Sequence, residues 1–247
     1  MYYTGSNAFA NLRQGLVAAY CPSISGQGNV LPDLVGGNHG TLTNMDASDW
    51  VASGDGRALQ FDGDDTSGGN DSQNRVTLNK DFGVDVIGFS AWVNAITLNK
   101  RGICASWPNN TNPRFALTLL TNGTLEVYRG QNTQSTAALS TNRWQHIFVF
   151  SDGNNTSYYI DGVFSNTANQ QGISPGLQTN FLLGNNYWGA LEGYLDDVRI
   201  YDRNLSLAEI KLLASKRGIG LRQESHRNTF YQFPSGARRR RILTGMP

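Results

Sequence analysis

Two cysteines in 247 residues cannot build a disulfide-stapled scaffold. Their apolar settings, Val17-Ala18-Ala19-Tyr20-Cys21 and Gly102-Ile103-Cys104-Ala105, read as two buried free thiols. A zinc site lacks the further ligands that it would need. Charged residues are scarce at 16%, against the roughly 25% of an ordinary soluble protein. No run approaches the ~18 consecutive apolar residues of a spanning helix. The 28 glycines follow no period of three, which excludes a collagen-like chain. The opening Met1-Tyr2-Tyr3-Thr4-Gly5-Ser6-Asn7 has neither a basic n-region nor an apolar h-region, so no export signal is expected.

What is present argues for a folded β protein. Hydrophobic residues at 39%, with aromatics at 11%, suffice to offset chain entropy. Short strand-like runs recur between Gly/Asn/Asp turns: 15–20, 58–61, 75–78, 89–93, 115–119, 124–128, 144–150, 157–160, 180–184 and 193–201. Asn122-Gly123 between two such runs is a strong hairpin signal. No helical period separates the runs, which implies an antiparallel sandwich rather than βαβ units. One helix is expected, where Ser206-Leu207-Ala208-Glu209 forms a capping box and Gly218 a stop. Alternation assigns Trp92 and Trp144 to the core.

The net charge of +1 conceals a division. Residues 216–247 hold eight basic residues and one acid, Glu224, for +7, leaving 12 basic and 18 acidic residues, or −6, in the first 215. Apolar Phe230, Tyr231 and Phe233 interleave with Arg222, Arg227 and the run Arg238, Arg239, Arg240, Arg241. Such a segment reads as a docking arm for a protein surface. Without a stacking platform beside the arginines, nucleic acid is not the expected partner. The expected organisation is an N-terminal arm at 1–13, one domain at 14–217 and a basic C-terminal arm at 218–247.

Gly15-Leu16-Val17-Ala18-Ala19-Tyr20, Asn38-His39-Gly40-Thr41-Leu42, Ala58-Leu59-Gln60-Phe61-Asp62-Gly63 and Phe89-Ser90-Ala91-Trp92-Val93 occur in that order. Trp144-Gln145-His146-Ile147, Tyr159-Ile160-Asp161-Gly162 and Tyr194-Leu195-Asp196-Asp197-Val198-Arg199-Ile200-Tyr201 follow. Over roughly residues 14–215 this string resembles laminin-G-like domains of the concanavalin A-like lectin/glucanase superfamily. The resemblance implies an all-β antiparallel jelly-roll sandwich with one short C-terminal helix and an extended basic tail. It also implies one structural Ca²⁺ held by Asp196 with backbone carbonyls, although Ile24 stands where such domains often carry an acid. Otherwise Asp196 is a turn or sheet-edge hydrogen-bond partner, and Arg199 a surface partner of Asp197.

Glycoside hydrolysis on this scaffold needs paired carboxylates across a cleft. The four glutamates, Glu126, Glu192, Glu209 and Glu224, do not cluster, and Asp62, Asp64 and Asp65 lie in a Gly-rich turn, so no enzyme is expected. His146 reads as a satisfied strand histidine. Among Trp50, Trp107 and Trp188, the loop-rim residues Trp107 and Trp188, with Tyr187, are the candidates for stacking on a saccharide. The leading expectation, from the lone module, absent export signal and basic arm, is a non-catalytic phage virion surface protein, a capsid decoration or tail-associated subunit. Its partners would be other virion or capsid subunits in a homo-oligomeric assembly. The alternative is an extracellular, Ca²⁺-dependent lectin that binds glycans.

Overall fold

In a computed structural model the described residues are 11–26, 28–63, 73–80, 82, 86–107, 115–170, 180–186 and 188–221. The first strands are β1 (Leu16–Tyr20), β2 (Val30–Leu31), β3 (Gly40–Thr43), β4 (Trp50–Ala52), β5 (Arg57–Asp62), β6 (Arg75–Leu78) and β7 (Ile87–Ala95). Next come β8 (Arg101–Trp107), β9 (Ala116–Leu119), β10 (Thr124–Tyr128), β11 (Asn132–Ala138), β12 (Gln145–Ser151) and β13 (Asn155–Ile160). The series closes with β14 (Val163–Asn169), β15 (Asn180–Leu183), β16 (Asn185–Asn186), β17 (Gly189–Ala190), β18 (Glu192–Tyr201) and helix α1 (Leu207–Leu213). They form two sheets. Sheet A runs β14-β13-β12-β7-β18-β5-β4, with β1 also on β18; sheet B runs β11-β10-β9-β8-β15-β6-β3-β2, with β16 and β17 attached beside β8. This is the expected antiparallel sandwich.

The period of two decides what each sheet gives to the core. On β7, Ile87, Phe89, Ala91 and Val93 join the main cluster, as do Ile147 and Val149 on β12. Leu117, Leu125, Val127, Phe181 and Leu183 meet them from sheet B. The same alternation turns Trp92 away from that core, against expectation. It sits half-buried beneath α1, its indole N–H donating to Leu213 O at 3.2 Å. Trp144 precedes β12 and is also half-buried, packed on Tyr194 and Arg217 rather than in the core.

A second apolar cluster lies on the other face of sheet A: Leu12, Leu16, Phe148, Tyr201, Leu205, Ile210 and Leu213, with Ile219 and Leu221 packed against it. Helix α1 covers this face. Its capping box forms as expected, Ser206 Oγ accepting from the Glu209 N–H while Glu209 takes the Ser206 N–H. The helix nevertheless ends at the Ala214 cap, before the expected Gly218 stop. The packed body also exceeds 14–217. Tyr201 O–H donates to Leu12 O at 3.2 Å, and Gly218 N–H to Asp197 Oδ2 at 2.7 Å.

Two of the short connections explain the local register. Asn122-Gly123 joins β9 to β10 as the sequence suggests. Asp161 and Gly162, at φ 51° and 75°, make the two-residue turn between β13 and β14. Asp161 Oδ1 also accepts the His146 N–H at 2.8 Å, tying that turn to β12.

Candidate functional site

Trp188 stands out among the described aromatics because it is 41% exposed yet held in place. It sits in the tight connection between β16 and β17, where its backbone N–H donates to Asn186 Oδ1 at 2.8 Å. Asn186 in turn donates to Thr118 Oγ1 of β9 at 2.8 Å. Gly102 of β8 is what permits this crossing, since a Cβ there would overlap the Asn185–Asn186 backbone. Arg101 donates to Trp188 O at 3.4 Å, and Lys100 Nζ lies 3.8 Å from the ring centroid. Lys100 also pairs with Glu126 Oε1 at 3.7 Å, and Gln134 donates to Glu126 Oε2 at 3.0 Å. An aromatic ring, two cations, a carboxylate and amides thus meet at the β8–β10 side of sheet B. Such a group can stack on an apolar ring face while exchanging hydrogen bonds with hydroxyls.

The other expected stacking residues are not brought together there. Trp50 is buried, its indole N–H donating to Gly28 O at 2.9 Å. Trp107 ends β8 with its backbone paired to Asn180, but its side chain is not among those described. Tyr187 and the arm residues Arg222, Arg227, Phe230, Tyr231, Phe233 and Arg238, Arg239, Arg240, Arg241 also lie outside the described residues. Nothing in the local sequence marks Lys100, Arg101 and Glu126 as site candidates, because only strand pairing makes them neighbours of Trp188.

Asp196 and Asp197 occupy a bulge of β18, where the register against β7 shifts between Asp196 and Arg199. Asp197 takes φ 47°, so the bulge turns two consecutive carboxylates into the layer beneath the 215–221 segment. Asp196 is fully buried. Its Oδ1 accepts the N–H groups of Ser23 at 3.1 Å and Asp197 at 2.8 Å, and Arg217 lies 3.5 Å from Oδ2. Burial first, and then the charge of Asp197, raises its carboxyl above the ordinary range. Arg199 grips Asp197 through Nε at 2.8 Å and Nη2 at 3.0 Å, and Nη2 also donates to Ile219 O at 2.6 Å. This pair is buried, so Arg199 is not the surface partner expected. Among the described residues no group of three or more His, Cys, Asp or Glu side chains is placed to hold a metal.

A third cluster joins Ser90 and His146 on the α1 side of sheet A. Ser90 Oγ and His146 Nε2 are 2.9 Å apart, the Trp92 ring stands edge-on to the imidazole at 5.7 Å, and His146 is fully buried. Its Nδ1 has no hydrogen-bond partner, so the histidine is only half satisfied, contrary to expectation. Burial, and then the positive charge of Arg199, pushes its pKa down to about 3. Ser90 is 1% exposed. A hydroxyl beside a neutral imidazole could exchange a proton, but here neither group is exposed to a solute.

The described glutamates hold the fold. Glu192 accepts from Thr97 Oγ1 at 2.6 Å, Glu209 serves the helix cap and pairs with Arg203, and Glu126 meets Lys100. Asp33, in the loop before β3, accepts from the N–H groups of Ala19, Val35 and Asn38, each at 3.0 Å. Burial would raise its carboxyl, but these N–H groups more than offset that and hold it below the usual range.

Residues 49–211 match the laminin-G family model described as the concanavalin A-like lectin/glucanases superfamily. The chain belongs to that superfamily. Domain 4 of AbnA, an extracellular arabinanase of Geobacillus stearothermophilus solved with arabinotriose, has a similar fold. It is 21% identical with a TM-score of 0.62, covering 81% of this chain and 98% of that one. The sialidase of Trypanosoma rangeli is 14% identical with a TM-score of 0.61, over 81% of this chain but 32% of its own length. The receptor-binding domain of botulinum neurotoxin type G is 13% identical with a TM-score of 0.56, over 81% and 51%. At these identities the likeness establishes the jelly-roll fold. Among curated proteins none matches the chain.

Proposed function

We propose that this superfamily member is a non-catalytic binding module that recognises a saccharide at the Trp188 face of sheet B. The observation that carries the reading is the exposed ring of Trp188, borne on a backbone anchored through Asn186 and Thr118 and carrying the Lys100 ammonium over one face. The anchored backbone spares the connection its ordering cost when a sugar stacks on the ring. Lys100 over one face of the ring, with Arg101 and Glu126 beside it, supplies donors and acceptors for the hydroxyls of a sugar on the other face. The arabinotriose bound in the AbnA domain 4 complex and the receptor binding of the neurotoxin domain support the same reading. Titration calorimetry of the full chain with arabinotriose and with free sialic acid tests it. Binding of either sugar that Trp188→Ala weakens at least about tenfold is expected, from the ~1.4 kcal/mol that a stacked ring readily supplies. Binding of neither, or binding unchanged in the variant, overturns the proposal.

A second reading is favoured by the charge division and by the firm seat of the segment at 215–221. In it the module is a virion surface subunit, a capsid decoration or tail-associated protein, attached to neighbouring subunits through residues 218–247. Residues 218–247 hold six arginines and Glu224, a net +5 against −4 in the rest of the chain, which suits an arm that meets an acidic neighbour. Deleting 222–247 should leave the melting temperature unchanged while abolishing incorporation into particles. Incorporation of the truncated chain at the full-length level refutes it.

A further inference from the structure

The oxygen atoms around Asp196 are those that a hard divalent cation would take, but a side chain occupies their focus. Four oxygens from three residues converge on the Arg217 guanidinium. Asp196 Oδ2 lies 3.5 Å from Nη1 and Asp55 Oδ2 3.5 Å from Nη2. Ser53 Oγ accepts from Nη1 and Ser53 O from Nη2, each at 2.8 Å. Two carboxylates, a carbonyl and a hydroxyl are a calcium-type donor set. Here they are arranged about a flat, permanently charged group that directs N–H donors to Ser53 and Asp196 and pairs with Asp55. The face of the guanidinium is covered by the Trp144 ring, 4.3 Å from Cζ. Asp196 Oδ1 is turned to the N–H groups of Ser23 and Asp197, whose positive ends would repel a metal ion.

We infer that Arg217 is the resident cation of the Asp196 site and that the domain holds this junction without a metal ion. The residues present do not fit the Ca²⁺ that the laminin-G resemblance implies at Asp196. The guanidinium neutralises a fully buried carboxylate and ties three separate pieces of chain together: the β4–β5 turn, the bulge of β18 and the segment after α1. A divalent ion in that position would make the same three-way connection only when calcium is present. This chain makes it with a covalently attached charge.

The full chain tests the inference through its calcium response, read as the change in melting temperature between excess EDTA and millimolar CaCl₂. A calcium ion bound 100-fold below its concentration raises the melting temperature of a protein this size by roughly 5–10 °C. The expected result is that wild type and Asp196→Asn respond identically. A calcium-induced rise in wild type that Asp196→Asn removes overturns the inference. Arg217→Ala and Arg217→Lys give a second reading that does not depend on that variant. Arg217→Ala should melt lower than wild type and gain a calcium-induced rise, because the oxygen cluster loses its cation. Arg217→Lys keeps a positive charge and should melt between the two with no calcium response. Wild-type melting and no calcium response in Arg217→Ala would show that the guanidinium is not what satisfies Asp196, and would also overturn it.

Discussion

His146 should make the stability of this domain fall as solution pH drops below the ordinary histidine range. Unfolded, its imidazole takes a proton near pH 6.5. Folded, it resists protonation to about 3, because burial and the Arg199 charge oppose a second cation beside Ser90 and Trp92. Its pKa is depressed by folding, so its contribution to stability is complete above pH 6.5 and shrinks as pH falls toward 3. Each pH unit inside that window costs about 1.4 kcal/mol. Between pH 6.5 and 5, where carboxylates of ordinary pKa remain largely ionised, the loss from His146 amounts to about 1.6 kcal/mol. Urea denaturation at half-unit steps measures this directly, as a falling midpoint at constant m-value. His146→Gln keeps a group that can bond Ser90 Oγ but cannot titrate, so its midpoint should stay nearly flat across the same range. Parallel pH profiles for wild type and variant would refute the reasoning.

Other perturbations read different parts of the molecule. Arg199→Ala leaves Asp197 buried without its bidentate partner and should cost about 3–5 kcal/mol in urea denaturation, as broken buried pairs do. Gly102→Ala forces a methyl group into the Asn185–Asn186 backbone and should destabilise by about 1–3 kcal/mol. It should also change the Trp188 fluorescence spectrum, whereas an unchanged spectrum would show that the crossing tolerates a side chain.

Local turn and cap chemistry carries most of the fold that can be read from sequence. The hairpins at Asn122-Gly123 and Asp161-Gly162, the Ser206 capping box and the apolar β7, β12 and β18 all declare themselves within a few residues. By contrast β11 and β14 are written largely in Thr, Ser, Asn and Ala, with no apolar alternation to mark them. They are held by side-chain bonds between edges, such as Thr136 N–H to Asn166 Oδ1 at 2.8 Å, which a local pattern does not encode. Trp92 has the size of a core residue, yet phase along β7 decides the face, and phase puts Phe89 and Val93 inside. At the candidate site only Trp188 is legible as a loop-rim aromatic. Its neighbours come from β8 and β10, and the Arg101–Trp188 contact spans 87 positions. The Ser90–His146 contact, across 56 positions, is likewise a product of strand order.

The seat of the 215–221 segment has a mechanical consequence. A pull on the chain beyond Leu221 is first met where Arg217 engages Asp196 and where Gly218 and Ile219 engage the Asp197–Arg199 pair. All of these contacts converge on β18, an interior strand of sheet A with β7 along one side and β5 and then β1 along the other. Tension therefore enters near the middle of the sheet, where a strand must shear from two neighbours at once, rather than at an edge that could be peeled away one hydrogen bond at a time. A cargo or carrier joined to the C-terminal side of this domain would be borne by an interior strand paired on both sides.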